Sequence, residues 1–257
     1  MKKLLVFIFA LAFISCETQE ISIPVQKPKM VKRIIRHDNT STIYKYNTDS
    51  TLSQMQYLSA SSAPLYTKYF FYENGIIIKS EAYDFLNRLD FEELYIHSDG
   101  QLKEIQAKNH DTEMIKAPND INIRFNYTNK VITSIEYEGA GAQFKEFLKY
   151  DVAGNVVAIN REYNPENAIS NTETKYTYDD KNHPFKSFNP ILIASKFLDF
   201  ELKSNVNNPI MKVTTFLSSL DSILVATSYE YDANLYPIEI VESVVGRTSQ
   251  FTYEYYE

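Results

Sequence analysis

Along most of the chain, apolar residues recur at every second position in short runs. Asp, Asn and Gly separate the runs. Alternation with period two puts one set of side chains on one face of a β-strand. The clearest instance is Tyr229-Glu230-Tyr231-Asp232-Ala233-Asn234-Leu235-Tyr236-Pro237-Ile238-Glu239-Ile240, which reads as strand, tight turn, strand. Variants of it recur. An anchor residue precedes a turn, and apolar positions return about nine residues later. The anchors are Tyr46, Phe71, Ile96, Tyr127, Tyr150, Tyr178 and Tyr231, spaced 25, 25, 31, 23, 28 and 53 residues apart. A unit of about 25 residues fits two strands and two connections. The last gap is about twice the unit, so a degraded repeat or an insertion lies within it. If the anchors are equivalent, Tyr150 and Ile159, Ile96 and Ile105, and Tyr231 and Ile240 should share a face.

Turn chemistry supports hairpins. Asn74-Gly75 is the strongest turn signal, with positive φ expected at Gly75, and Asp99-Gly100 is a second. An Asp directly after an aromatic can accept hydrogen bonds from the backbone amides of the turn it opens. Strands are therefore predicted from Val31 to Tyr46 around a turn at His37–Thr40, and over 66–71, 76–78, 89–96, 102–107, 121–127, 131–137, 144–150, 156–163, 174–178, 211–216, 223–231 and 251–255. Gly139-Ala140-Gly141-Ala142 reads as a flexible connection. Residues 183–209 break the pattern. His183-Pro184, Asn189-Pro190 and Asn208-Pro209 punctuate them, and Ile193, Phe197 and Phe200 recur at helical spacing. The prediction is an all-β antiparallel meander of repeated Tyr-Asp hairpins over residues 31–257. It should form a curled open sheet or partial barrel, with one short helix or lid near 191–200.

Composition sharpens this picture in two places. The 20 Tyr and 16 Phe, without Trp, suit half-buried sheet faces on which a ring packs and a hydroxyl reaches water. Only six Gly are present, so Asn and Asp must do much of the turn work. The net charge of −7 comes from interspersed residues, and the absence of a basic face argues against nucleic acid.

Residues 1–15 read as an export signal. Lys2 and Lys3 precede the unbroken apolar run Leu4 to Ile14 of 11 residues, too short to span a bilayer. Cys16, the single cysteine, follows Phe13-Ile14-Ser15, which resembles a lipobox. On that reading Cys16 becomes the acylated first residue of the mature chain and anchors it to the membrane. The alternative is a conventional cleaved signal. Residues 16–30, with Pro24 and Pro28, then form a polar tether.

Candidate chemistry is sparse. No Gly-x-Ser-x-Gly, His-Glu-x-x-His or phosphate-cradling loop occurs, and no cofactor motif is present. His37, His97, His110 and His183 fall in predicted turns and loops and read as solvated. His110-Asp111-x-Glu113 lacks a fourth metal ligand. Asp151 with Asn155, and Asp179 with Asp180, offer oxygen ligands for Ca²⁺, against a purely local role in their turns. The Tyr stripes, with Tyr150, Tyr178, Tyr229 and Tyr231, could stack against a sugar ring. The competing role is a cross-strand aromatic ladder.

The Tyr-x-Tyr-Asp-x-x-Gly/Asn-x-apolar unit resembles the YD repeat of Rhs-type proteins. The Asp180-Lys-Asn182-His-Pro184-Phe185 segment, Asn207-Asn208-Pro209 before a strand, and the aromatic C-terminal strand are more similar to uncharacterised lipoproteins of Bacteroidetes-type bacteria. The similarity covers roughly residues 31–257. The chain departs from true YD repeats in lacking a regular Gly in each unit and in having few units. The resemblance implies a fold and a place at the outer membrane, facing either the periplasm or the exterior. The sequence thus points to a non-catalytic cell-envelope lipoprotein, an interaction or structural module with an unknown protein or glycan partner. The second reading is a glycan- or small-ligand-binding surface lipoprotein of a nutrient-uptake system.

Overall fold

A computed structural model describes residues 28–110, 120–139, 142–164, 170–186 and 206–257. The strands are β1 (Val31–Arg36), β2 (Ser41–Tyr46), β3 (Leu52–Leu58), β4 (Pro64–Glu73), β5 (Ile76–Asp84), β6 (Leu89–Ser98), β7 (Gln101–Asn109) and β8 (Ile121–Thr128). They continue as β9 (Val131–Gly139), β10 (Ala142–Tyr150), β11 (Val156–Tyr163), β12 (Thr172–Tyr178), β13 (Pro209–Phe216), β14 (Ser222–Tyr231), β15 (Pro237–Val244) and β16 (Arg247–Tyr255). Each strand pairs antiparallel with its sequence neighbours, and β1 pairs with β16, so the meander closes into a barrel. The expected open sheet or partial barrel is thereby corrected. Local alternation specifies hairpins, but it does not encode whether the first and last strands meet. No α-helix occurs among the described residues. The helix or lid expected near 191–200 lies outside them.

The turns follow from their residues. Asn74-Gly75 and Asp99-Gly100 have positive φ at both positions, 51° and 76°, and 53° and 71°, the two-residue hairpin geometry. Asn129 and Lys130 do the same at 51° and 68° without a Gly. Longer turns open on an Asp. Asp151 Oδ1 accepts the amides of Ala153 and Asn155, each at 2.9 Å. Asp232 Oδ1 accepts those of Asn234 and Tyr236 at 2.8 and 3.0 Å. The carboxylate therefore supplies the acceptor that a turn without a full ladder lacks. Gly139 ends β9, and it pairs with Ile121 and Ala142. It belongs to the ladder, where the sequence suggested a flexible connection. A Cβ there would stand 2.0 Å from the Asp120 carbonyl oxygen.

The inward face carries the core. Ile34, Tyr44, Met55, Phe70, Phe91, Ile105, Ile123, Phe125, Ile135, Leu148, Ile159, Ile240 and Tyr253 form one buried cluster. The outward face is mixed: exposed apolar residues such as Phe71, Leu94, Ile96 and Leu224 alternate with charged ones. Glu104, Arg124, Glu136, Lys145 and Glu162 occupy laterally paired positions on β7 to β11, a row of alternating charge. Within it Lys145 meets Glu136 at 2.7 Å, and Arg124 reaches Glu138 beside it at 2.9 Å.

Candidate functional site

One rim of the barrel is organised by a repeated clasp. Each even-numbered strand ends in a ring that bonds back to the first or second carbonyl of the odd-numbered strand before it. Tyr46 donates to Val31, Tyr72 to Leu52, Tyr127 to Leu102, Tyr150 to Ile132, Tyr178 to Val156, Tyr229 to Pro209 and Tyr255 to Pro237. In β6, His97 Nε2 lies 2.9 Å from the Ile77 carbonyl oxygen and takes the same place. Most of these strands carry a register shift beside the clasp, as between Lys149 and Tyr150. Such a bulge disrupts the ladder locally, and a phenol suits the site because its ring packs inward while its hydroxyl satisfies the carbonyl. Burial raises the Tyr150 phenol to about 12, so it stays a donor.

The clasp revises two anchors. Phe71 and Ile96 face outward, 41% and 40% exposed, while Tyr72 and His97 point in. Ile105 is fully buried, so Ile96 and Ile105 do not share a face. In these two-residue hairpins the ladder runs one pair beyond the clasp, Glu73 with Ile76 and Ser98 with Gln101. Counting back from the turn therefore lands one residue off. Tyr150 and Ile159 do share the inner face, and Tyr231 lies on the side of Ile240, its ring stacked on Tyr229, which pairs with Ile240.

Of the Tyr residues picked as candidate ligand contacts, Tyr150 and Tyr178 hold clasps at 2.9 and 2.6 Å, and Tyr229 holds one at 2.8 Å. Tyr231 donates to Asp179 Oδ2. Tyr176 stacks on Tyr178 and Tyr229 on Tyr231, with centroids 6.2 and 5.8 Å apart. Cys16 lies outside the described residues, as do residues 111–119 with Asp111 and Glu113.

Residues 179–186 and 206–208, between β12 and β13, pack into the same rim. Asn155 Oδ1 accepts the amides of Val206 and Asn207, and Asn182 Nδ2 donates to the Asn234 carbonyl. Asp179, offered above as a calcium ligand, accepts the amides of Lys181 and Asn208. Phe185 is buried inside, its ring 5.6 Å from Tyr44 and 6.5 Å from Tyr253. His183 is also buried, and desolvation holds its pKa down at about 3 against the pull of Asp179. The expectation of four solvated histidines is therefore corrected. His183 sits in an interior cap, and His97 is a half-buried strand residue.

The interior is uneven. Around β4 to β6, Glu93 Oε2 accepts Lys68 Nζ, Ser80 Oγ and Tyr95 OH, each at 2.7 Å, in a fully buried cluster. Burial alone would raise the Glu93 pKa, but the ammonium and the two hydroxyls outweigh it and hold the carboxyl ionised. Within β12, β13 and β14 no side chain is fully buried, and the lumen beside them is open. Two cavities lie there and share Tyr176. One, of about 450 Å³, is lined by Glu146, Arg161, Thr172, Thr174, Thr214 and rings. The other, of about 370 Å³, lies under the cap and is lined by Arg36, Lys212, Glu242, Asn208, Tyr229 and apolar residues. The Asn208 carbonyl Oδ1 has no hydrogen-bond partner among the described residues.

The lumen residues went unnoticed in the sequence, although a signal existed. Lys68 stands between Tyr66 and Phe70, Glu93 between Phe91 and Tyr95, and Glu146 between Phe144 and Leu148. Each is a charge on the apolar phase of an alternating strand.

No protein-family model matches the chain, and no curated protein matches it. Solved structures do. A porin-like protein from Bacteroides vulgatus ATCC 8482 superposes with a TM-score of 0.61 at 13% identity, covering 88% of this chain and 99% of its own. A porin-like protein from Bacteroides uniformis ATCC 8492 superposes with a TM-score of 0.56 at 12% identity, covering 89% and 98%. What the chain shares with them at this identity is the barrel fold.

Proposed function

We propose that this protein is a non-catalytic, lipid-anchored module of the bacterial cell envelope whose barrel stands in water beside the membrane, not across it. The alternating row Glu104–Arg124–Glu136–Lys145–Glu162 on the outer face carries this reading. A membrane-spanning barrel turns an apolar band with aromatic girdles to the lipid and keeps its polar residues inside. Here the phases are exchanged, with an apolar inner face and charged mid-strand positions outside. Arg or Lys at the bilayer midplane costs about 2–4 kcal/mol each, so Arg124 and Lys145 alone oppose insertion strongly. The porin-like neighbours support the fold and an envelope setting, while the surface chemistry argues against a pore. The Cys16 leader and the resemblance to Bacteroidetes-type lipoproteins support anchoring through acyl chains at the outer membrane.

Two measurements test this. Cys16→Ala should release the protein from the membrane fraction or leave an unprocessed precursor. Unchanged retention with normal processing would sink the anchor. The same soluble variant should be folded and monodisperse without detergent and should produce no conductance steps in a planar bilayer. Stepwise conductance would sink the water-facing barrel. A second reading, ligand binding, is favoured by one specific observation: the lumen is packed around β4 to β6 and open around β12 to β14.

A further inference from the structure

The cavity walled by β10 to β13 has a chemistry of its own. Its inward positions change from the aliphatic residues of the core to Thr172, Thr174 and Thr214. The Thr174 and Thr214 hydroxyls face each other across paired strands at 3.0 Å. Beside them Arg161 donates through Nε and Nη2 to Glu146 Oε1, at 3.0 and 2.7 Å. The guanidinium also lies over the Phe144 ring, 4.9 Å from its centroid. Glu146 itself is fully buried and is approached by the Tyr137 hydroxyl at 3.4 Å. Carboxylate and guanidinium are thus both fixed in place. Among the described residues no other charged side chain lines the cavity, so the lining is neutral overall.

These features select a ligand class. An anion would need a cationic lining, and Glu146 already neutralises Arg161. The Thr174 and Thr214 hydroxyls share one bond, but an apolar ligand would leave the second proton of that pair and the Thr172 hydroxyl without partners, which desolvated polar groups do not tolerate. A neutral molecule with many hydroxyls satisfies both constraints, because it donates and accepts at once. Rings of Tyr163, Tyr176 and Phe216 line the same space and offer apolar faces to the C–H side of a sugar. The volume of about 450 Å³ lies within the range of small-molecule sites, roughly 300–1,000 Å³.

We infer that this cavity is a binding site for a neutral saccharide, held by Thr172, Thr174 and Thr214 and oriented by the Glu146–Arg161 pair. The inference rests on the water-facing reading above, because the saccharide reaches the lumen from solution. The test is calorimetric titration of the purified mature protein with maltotriose, cellotriose, mannotriose and galactotriose. Trigalacturonate and laurate serve as the acidic and apolar controls. One of the neutral sugars should bind saturably at one site. Thr174→Val and Thr214→Val should each weaken that binding about tenfold, the effect of one or two lost hydrogen bonds. Thr177→Val, on the outer phase of the same strand, should leave it unchanged, with melting temperatures matched across the set. Failure of all four sugars to bind the folded protein overturns the inference. So does binding that neither lumen threonine affects, or tighter binding of trigalacturonate or laurate. A protein that is anchored and conducts no ions, but binds no sugar, overturns this inference alone and leaves the envelope reading standing.

Discussion

Glu93 and Lys68 show what a charge on the apolar phase of a strand demands. Both side chains are out of water, and three groups converge on one carboxylate oxygen. Removing one member leaves an uncompensated buried charge, whereas replacing both by apolar groups of similar size need not. Glu93→Gln should therefore destabilise by about 3–5 kcal/mol, and Lys68→Met with Glu93→Leu should recover most of that loss. Urea denaturation of the three proteins decides it, and a double variant as weak as the single would count against the argument. His183 gives a pH dependence of definite sign. Its folded pKa, about 3, lies below the unfolded value of about 6.5, so the unfolded chain takes up a proton that the fold refuses. Stability is complete above the unfolded value and declines as pH falls through it, by about 1.5 kcal/mol between pH 6.5 and 5. The carboxylates titrate mainly below that window. His183→Gln should flatten the melting temperature across it. A slope unchanged in the variant would place its origin elsewhere. Lys68 and Glu93 left a local signal as charges on an apolar phase, but His183 left none. His183 sits beside a proline in a polar stretch, and only the fold turns that stretch inward.

At the scale of strands and turns the chain was far more legible. Period-two alternation and Asx-Gly or aromatic-Asp signals are local, and so are the hairpins they specify. Every predicted strand lies within an observed one, apart from the turn-bearing first pair, which resolves into β1 and β2 around residues 37–40. What failed was phase at the rim. A bulge or a two-residue turn shifts the count by one, and one residue reverses the face, as at Phe71 and Ile96. Glycine shows the same limit. Gly75, at φ 76°, has open space within 4 Å of where a Cβ would stand, so its demand is conformational only and is visible in the Asn-Gly pair. Gly139 meets the Asp120 backbone, which no local pattern reveals. Gly75→Val should cost about 1–3 kcal/mol through backbone strain. Gly139→Ala should cost more than Gly75→Ala, since the neighbouring backbone must also move. Thermal melts of the three variants check this, and equal effects for the two alanines would refute the steric account.

For the whole molecule, the decisive contact is the one between the first and last strands, and it is the least local of all. Hairpin signals predict a ribbon of paired strands. Closure adds the pairing of Ile34 with Tyr253 and the burial of the inner face around a common interior. It also sets the lumen, because the cavities and the cap exist only once the sheet has curved on itself, whereas each clasp stays within its own hairpin. The polarity of the wall was readable strand by strand as alternation. Which phase faced outward could be decided only when the interior was known.

The Tyr256 amide bonds to the Met30 carbonyl at 3.0 Å, so the first strand leaves, and the last strand returns, at one point on the clasped rim. Every hairpin unit carries the same clasp, and none is structurally first. The order in which the units are synthesised is therefore separable from the barrel they build. A circular permutant in which a short linker joins residues 256 and 30, with new ends opened between Val245 and Gly246, should fold to the same barrel. Its near-ultraviolet dichroism should match the parent and its melting temperature should stay close. Loss of cooperative unfolding would show that the seam between β16 and β1 is special after all. If the permutant folds, either rim can carry the chain ends, and a tether attached there would hang the barrel from a surface either way up.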